Sequence, residues 1–178
     1  MTNSKSIKSL VIYGLCIALV CVMTMVVQIP VPMTQGYVHL GDSCILLIAI
    51  FFGKKYGAAA GGLGSALADI LSGYAHWALF TLIIKALMGF VAGSLSNYRY
   101  SKSKFMSVNT TIASLVTIAV MVIGYLIGGT ILKGSLAVAL TSVPSNAVQG
   151  VMGMVLFFAI GKAFDKVHIN NYIHKFQN

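Results

Sequence analysis

The stretch GYVHLGDSCILLIAIFF, residues 36–52, decides the fold. Its second half is a continuous apolar run, the pattern of a segment that enters a lipid bilayer or a buried core. Its first half carries His39 and Asp42, and Asp42 is one of only three acidic residues in the chain, with Asp69 and Asp165. An ionisable group at the lip of such a run costs free energy unless it has a partner or a task.

The rest of the chain settles which environment the run belongs to. Of 178 residues, 58% are hydrophobic and 8% charged, against about 25% charged in an ordinary soluble domain. The mean hydropathy is +0.90. This is a membrane composition, with room for roughly six spans of ~20 residues and none for a separate soluble domain. The three cysteines, Cys16, Cys21 and Cys44, lie in apolar runs and form no C-x-x-C pair. They indicate neither zinc nor redox chemistry and read as small buried apolar residues.

Working outward from residues 36–52, six apolar segments emerge, at about 8–28, 41–52, 56–73, 77–96, 109–132 and 144–164. The first resembles a signal peptide, but it is long, lacks an A-x-A cleavage site and runs through QIPVP into further membrane sequence, so it reads as a retained span. The second is short enough to be tilted or to begin inside a loop. Helices are the expected state, because backbone groups in lipid must be satisfied within each span and the alternation of a β-barrel is absent. The expectation is therefore all-α: a single domain over residues 1–178, an integral membrane bundle of six transmembrane helices.

The charges test that count. With six spans, Lys5, Lys8, Lys54, Lys55, Arg99, Lys102, Lys104, Lys162, Lys166 and Lys175 all fall on one side, while Lys133 stands alone on the other and Lys85 lies within a span. The positive-inside rule puts both termini in the cytoplasm and the protein in the cell membrane. The net charge of +9 is then an anchor to anionic lipid at the inner leaflet rather than a sign of nucleic acid.

Small residues recur four apart: Gly14 and Ala18, Gly89 and Gly93, Gly124 and Gly128, with a further stripe at Gly61, Gly62, Ser65 and Ala66 and a pair at Gly150 and Gly153. Such spacing lets helix backbones approach closely. Internal packing accounts for most of these, and one stripe is free to face a partner protein.

The polar side chains gather towards the outer side. His39 and Asp42 open the second span, Asp69 lies about one turn from the end of the third, Tyr74, His76 and Trp77 occupy the turn, Lys85 is ~12 Å down the fourth, and Asn146 and Gln149 lie in the first turns of the sixth. The inner halves are almost purely apolar, which describes a cup with a closed floor rather than a channel. Each residue also has a plainer reading. Asp69 and Lys85 flank a short turn and fit an ion pair. Trp77 and Tyr74 fit an interfacial belt, His39 a solvated loop, and Asn146 and Gln149 bonds between helices. Taken together, Tyr37, Tyr74 and Trp77 offer flat faces, Asp42, Asp69, Asn146 and Gln149 offer acceptors, and His39, His76 and Lys85 offer donors, the make-up of a site for a small polar ring compound.

The block YVHLGDSCILLIAIFFGKKYGAAAGGLGSALADILSGYAHWALFTLIIKALMGFVAG, residues 37–93, with VPSNAVQGVMGMV, residues 143–155, resembles the substrate-binding (S) components of energy-coupling factor (ECF) vitamin transporters. The resemblance implies a six-helix protein that binds a vitamin or precursor from outside and works with a transmembrane coupling protein and two ATP-binding ATPase subunits. It implies that loop 30–41 is a lid and that the loaded protein topples in the bilayer on its partner. The family docks its coupling protein through an A-x-x-x-A pair on the first helix; Gly14 and Ala18 occupy those positions here. Within the family the chain resembles the components for pyridoxine-type vitamin B6 or hydroxymethylpyrimidine, with pantothenate, which would use Lys85 as a carboxylate partner, and riboflavin as alternatives. No G-x-x-x-x-G-K-[ST] motif is present, and GGLGSALAD at residues 61–69 lacks the lysine, so ATP hydrolysis belongs elsewhere. No enzymatic activity, catalytic residue or cofactor is expected. A membrane-embedded metal enzyme using His39, Asp42, Asp69 and His76 is disfavoured by their spacing, and a purely structural subunit is the remaining rival.

Overall fold

In the computed structural model of the protein, residues 2–31, 36–96, 98, 105–169 and 173 are described. The elements follow in the order α1 (Thr2–Val26), β1 (Gln28–Val31), β2 (Gly36–His39), α2 (Gly41–Phe52), α3 (Lys54–Leu71), α4 (Ala78–Leu95), α5 (Val108–Lys133), α6 (Leu136–Leu140) and α7 (Val143–Lys166). Arg99, Lys102, Lys104 and Lys175, on which part of the expected topology rests, and Pro32 lie outside the described residues.

The protein is a mostly helical, multi-pass membrane protein. Four stretches, at Ser6–Val26, Ala78–Leu95, Val108–Lys133 and Leu136–Lys166, are long and apolar enough to cross a bilayer. The exposed face of α1 carries Leu10, Val11, Leu15, Leu19 and Val22, a greasy surface suited to lipid. The other two long segments depart from the simple span for physical reasons. Half of α3's 18 residues are Gly or Ala, so its hydropathy is low and its value lies in close packing. With only 12 residues, α2 is buried from Gly41 to Phe51. A helix that is apolar all round belongs in the centre, and α2 has α1, α3, α4 and α7 around it.

Helix α3 lies along α4 with its glycines against backbone. A methyl on Gly61 would stand 2.5 Å from the Lys85 carbonyl oxygen, and one on Gly93 would stand 2.5 Å from Lys54 N. Gly124 packs on Ile84, Gly128 on Phe80, Gly150 on Ile118 and Gly153 on Asp42. These stripes are internal packing, whereas Gly14 has nothing within 4 Å of the place its Cβ would take. The turn from α2 to α3 is Gly53 alone, at φ 102°, a left-handed position that favours glycine.

The mostly helical structure agrees with the all-α expectation, and two features add to it. The loop after α1 is a β-hairpin, with Gln28 paired to His39 and Ile29 to Val38 in antiparallel register. A short helix, α6, capped by the Ser135 side chain on Val138 N–H, precedes α7. At the end of the bundle away from the hairpin, Phe51, Tyr98, Phe105 and Phe157 form a dry aromatic core, and the Tyr98 hydroxyl donates to Asp165 Oδ1 at 2.5 Å.

Candidate functional site

A cavity of about 50 Å³ lies beneath the hairpin, between α3, α4, α5 and α7. Of the residues singled out from the sequence, Tyr37, His39, Asp69, Trp77, Asn146 and Gln149 line it. Asp42 and Lys85 do not; they lie below, 1% and 0% exposed. Tyr74 and His76 stand outside the cavity. Tyr74 packs on Tyr37 with ring centroids 4.7 Å apart, and the exposed His76 packs on Tyr74.

The expected Asp69–Lys85 ion pair is not formed. Lys85 Nζ donates to Asp42 Oδ1 at 2.5 Å instead. The packing of α2 between α3, α4 and α7 explains the choice: it sets Asp42 against Lys85, about 10 Å below the first residue of α4, while Asp69 stays about 3 Å from the end of α3. Asp42, in the first turn of α2, sits low because the hairpin folds over that helix. Both carboxylate oxygens of Asp42 are used, since Gln149 Nε2 donates to Oδ2 at 2.8 Å. The ammonium of Lys85 is further enclosed by Met121 Sδ at 3.2 Å and the Tyr125 ring at 5.4 Å. A buried pair closed in this way is tolerable where either charge alone would not be. It leaves neither group free for a ligand.

The cavity wall is polar in a specific pattern. The Tyr37 hydroxyl donates to Asp69 Oδ1 at 2.7 Å, and burial, then the neighbouring Asp69, hold the Tyr37 phenol well above its usual range, so it remains a donor. Asp69 Oδ2 is buried and makes no hydrogen bond of normal geometry among the described residues, with the Thr81 side chain close enough to act on the carboxyl group. On β2, the His39 backbone N–H donates to Gln149 Oε1 at 3.2 Å, and Gly41 N–H donates to His39 Nδ1 at 3.0 Å. Burial pushes the His39 imidazole down to about 4, so it is neutral at pH 7.

Trp77, 7% exposed, is a wall residue rather than an interfacial belt residue. Its ring meets Tyr125 edge-on at 5.9 Å, and Lys133 Nζ lies over it at 5.9 Å. The Thr81 and Tyr125 hydroxyls share a hydrogen bond of 3.2 Å. Ser142 and Ser145 turn their hydroxyls back to the carbonyls of Ala139 and Ser142.

Val31, Gly36, Thr81, Tyr125, Ser142 and Ser145 also line the cavity and were not singled out from the sequence. Thr81 stands four residues after Trp77, and Ser142 and Ser145 precede Gln149 by seven and four, so helical spacing would have found these three. Tyr125 was within reach of the same reasoning, because Thr110, Ser114 and Thr117, all buried, mark the face of α5 on which it lies.

A family model described as the ECF-type riboflavin transporter, S component, matches residues 4–166. An uncharacterised protein of Pyrococcus woesei is 38% identical over 147 residues, 83% of this chain and 95% of its own length. The thiamine precursor transporter HmpT of Lactococcus lactis is 28% identical over 176 residues, 98% of each chain. A UPF0397 protein of Streptococcus agalactiae is 30% identical over 97 residues, 53% of each. Since the family match runs from the first turns of α1 to the last residue of α7 and takes in both the hairpin and the cavity, the chain belongs to the S components of the ECF-type riboflavin transporter family.

Proposed function

We propose that this protein captures a single-ring heteroaromatic thiamine precursor, hydroxymethylpyrimidine, from the outer face of the cell membrane. The observation that carries this reading is Asp69 Oδ2, a buried acceptor without a hydrogen bond of normal geometry at a cavity walled by Trp77 and Tyr125. An unsatisfied carboxylate oxygen in such a place favours a ligand that brings an N–H. The exocyclic amine of an aminopyrimidine supplies one, its ring nitrogens supply acceptors for His39 and Gln149, and its flat face suits the aromatic walls. The name of the Lactococcus relative supports the same class.

The alternatives fit less well. Pantothenate would set its carboxylate near Asp69, and Lys85, its natural partner, is already paired. Pyridoxine is the second reading: its ring nitrogen and hydroxymethyl arms suit His39 and Gln149, and a hydroxyl can donate to Asp69.

In this reading six helices span the membrane with both termini in the cytoplasm, and the hairpin is the lid. The loaded protein topples on a transmembrane coupling protein driven by two ATPase subunits. Docking through Gly14 and Ala18 is supported by the open space at Gly14 and the exposure of Ala18 on α1. The test is a titration of the detergent-purified protein, using the fluorescence of Trp77, the only tryptophan. Hydroxymethylpyrimidine is expected to quench or shift the emission at submicromolar concentration and to raise the melting temperature. Stronger binding of riboflavin, or no response to any of the four compounds, would overturn the assignment.

A further inference from the structure

The Asp42–Lys85 pair lies below the cavity without lining it, yet a chain of hydrogen bonds leads from it to the cavity wall. Asp42 Oδ2 accepts from Gln149 Nε2, and Gln149 Oε1 accepts from the backbone N–H of His39. Turning the Gln149 amide over would set its oxygen against a carboxylate and its NH₂ against an N–H. Both contacts are repulsive, so the orientation is fixed. The His39 ring is fixed in the same way: Nδ1 accepts from Gly41 N–H, so the proton of the neutral ring is on Nε2.

The result is that Gln149 Nε2 and His39 Nε2 stand 3.4 Å apart as two donors, and the second N–H of Gln149 has only Met121 Sδ, a weak acceptor, at 3.5 Å. The two nitrogens cannot bond each other, and both residues line the cavity. We propose that Lys85 and Asp42 are positioning residues that hold this wall as a donor-only surface and thereby select ligands presenting a lone pair to it, a ring nitrogen or carbonyl oxygen rather than an N–H or C–H. Lys85 acts twice removed from the ligand. It neutralises Asp42 in place, Asp42 then orients Gln149, and Gln149 faces the ligand. An apolar pair at positions 42 and 85 would keep the packing and lose the polarity.

This inference rests on the small-ring reading of the site, and two measurements separate their fates. The first needs no ligand. Nitrogen-15 NMR of the full chain in detergent, with His39→Asn to assign the signal, is expected to show the Nε2–H tautomer of His39. A proton on Nδ1 would overturn the inference whatever the protein binds. The second compares affinity for hydroxymethylpyrimidine with that for its analogue in which a ring nitrogen is replaced by C–H, trying each nitrogen in turn. The natural protein is expected to prefer the pyrimidine by about tenfold or more against one of the two analogues. In Asp42→Leu/Lys85→Met, which removes both charges and the acceptor that orients Gln149, that ratio is expected to fall towards one while the protein remains folded. A folded double variant that keeps the full ratio would show that the pair is merely structural and would overturn the inference. If the natural protein binds neither compound, the proposed function fails, and the tautomer alone decides the inference.

Discussion

A methyl group added at Gly89 would stand 2.1 Å from the carbonyl oxygen of Gly57 and 2.2 Å from its carbonyl carbon. Favourable contact begins near 3.5 Å, so the shortfall is roughly 1.3 Å. Both obstructing atoms are helix backbone, and no rotamer change relieves them; α4 must move off α3 by about an ångström. Replacing glycine by alanine in a helix gains up to about 1 kcal/mol from propensity. Overpacking costs about 1–3 kcal/mol, and parting the seam forfeits the close contacts at Gly61, Gly62 and Gly93 as well. The expected net loss for Gly89→Ala is about 2 kcal/mol, or a melting temperature lower by roughly 4–8 °C for a chain of this size. Gly14→Ala is the matched control: with nothing within 4 Å of the new methyl, only the propensity gain remains, and the melt is expected to rise by up to ~4 °C. Both are read from thermal melts in one detergent at one concentration. A Gly89→Ala protein that melts at or above the natural protein would refute the backbone-contact account of the α3–α4 seam.

Three further outcomes are expected. Asp69→Asn, which replaces the unpartnered oxygen's charge and half its acceptor capacity, lowers affinity for hydroxymethylpyrimidine by about tenfold or more, measured by Trp77 fluorescence; unchanged affinity would remove Asp69 from the site. Lys85→Met alone strands a buried carboxylate and costs about 3–5 kcal/mol, while Asp42→Asn/Lys85→Met recovers most of it; equal melting temperatures for the single and double variants would contradict the pairing. His39 has its folded value lowered from 6.5 to about 4, so its neutral buried state contributes fully above pH 6.5. That contribution is lost as pH falls towards 4, by at most about 3 kcal/mol. A pH series of melts should therefore fall more steeply in the natural protein than in His39→Gln, and parallel curves would count against burial of the ring.

The helices and their order were legible in the sequence because apolar length and turn residues act locally. The observed α4 (Ala78–Leu95) and α5 (Val108–Lys133) differ from the expected segments by a residue or so at each end. Depth was legible too, which is why Tyr37, His39, Asp69, Trp77, Asn146 and Gln149 were all found near one cavity. Angle around each helix axis was not. Lys85 could be placed two turns down α4, but only the packing of α2 between α3, α4 and α7 shows that Asp42, not Asp69, faces it. The hairpin escaped notice for a related reason. QIPV contains a proline and GYVH a glycine, so neither reads as a strand alone, and their pairing depends on the ends of α1 and α2 being held together.

Helix α2 is 12 residues long, about 18 Å, where a bilayer core measures about 30 Å. The missing length is not empty of purpose: the chamber and its β-flap occupy the column that about two more turns would have filled. A bound molecule would then rest inside the thickness of the membrane, standing in for a piece of polypeptide. Extending α2 at its beginning by even one turn should obstruct the chamber while leaving the bundle below it intact, because the room for a guest was made by shortening a strut rather than by pushing its neighbours apart.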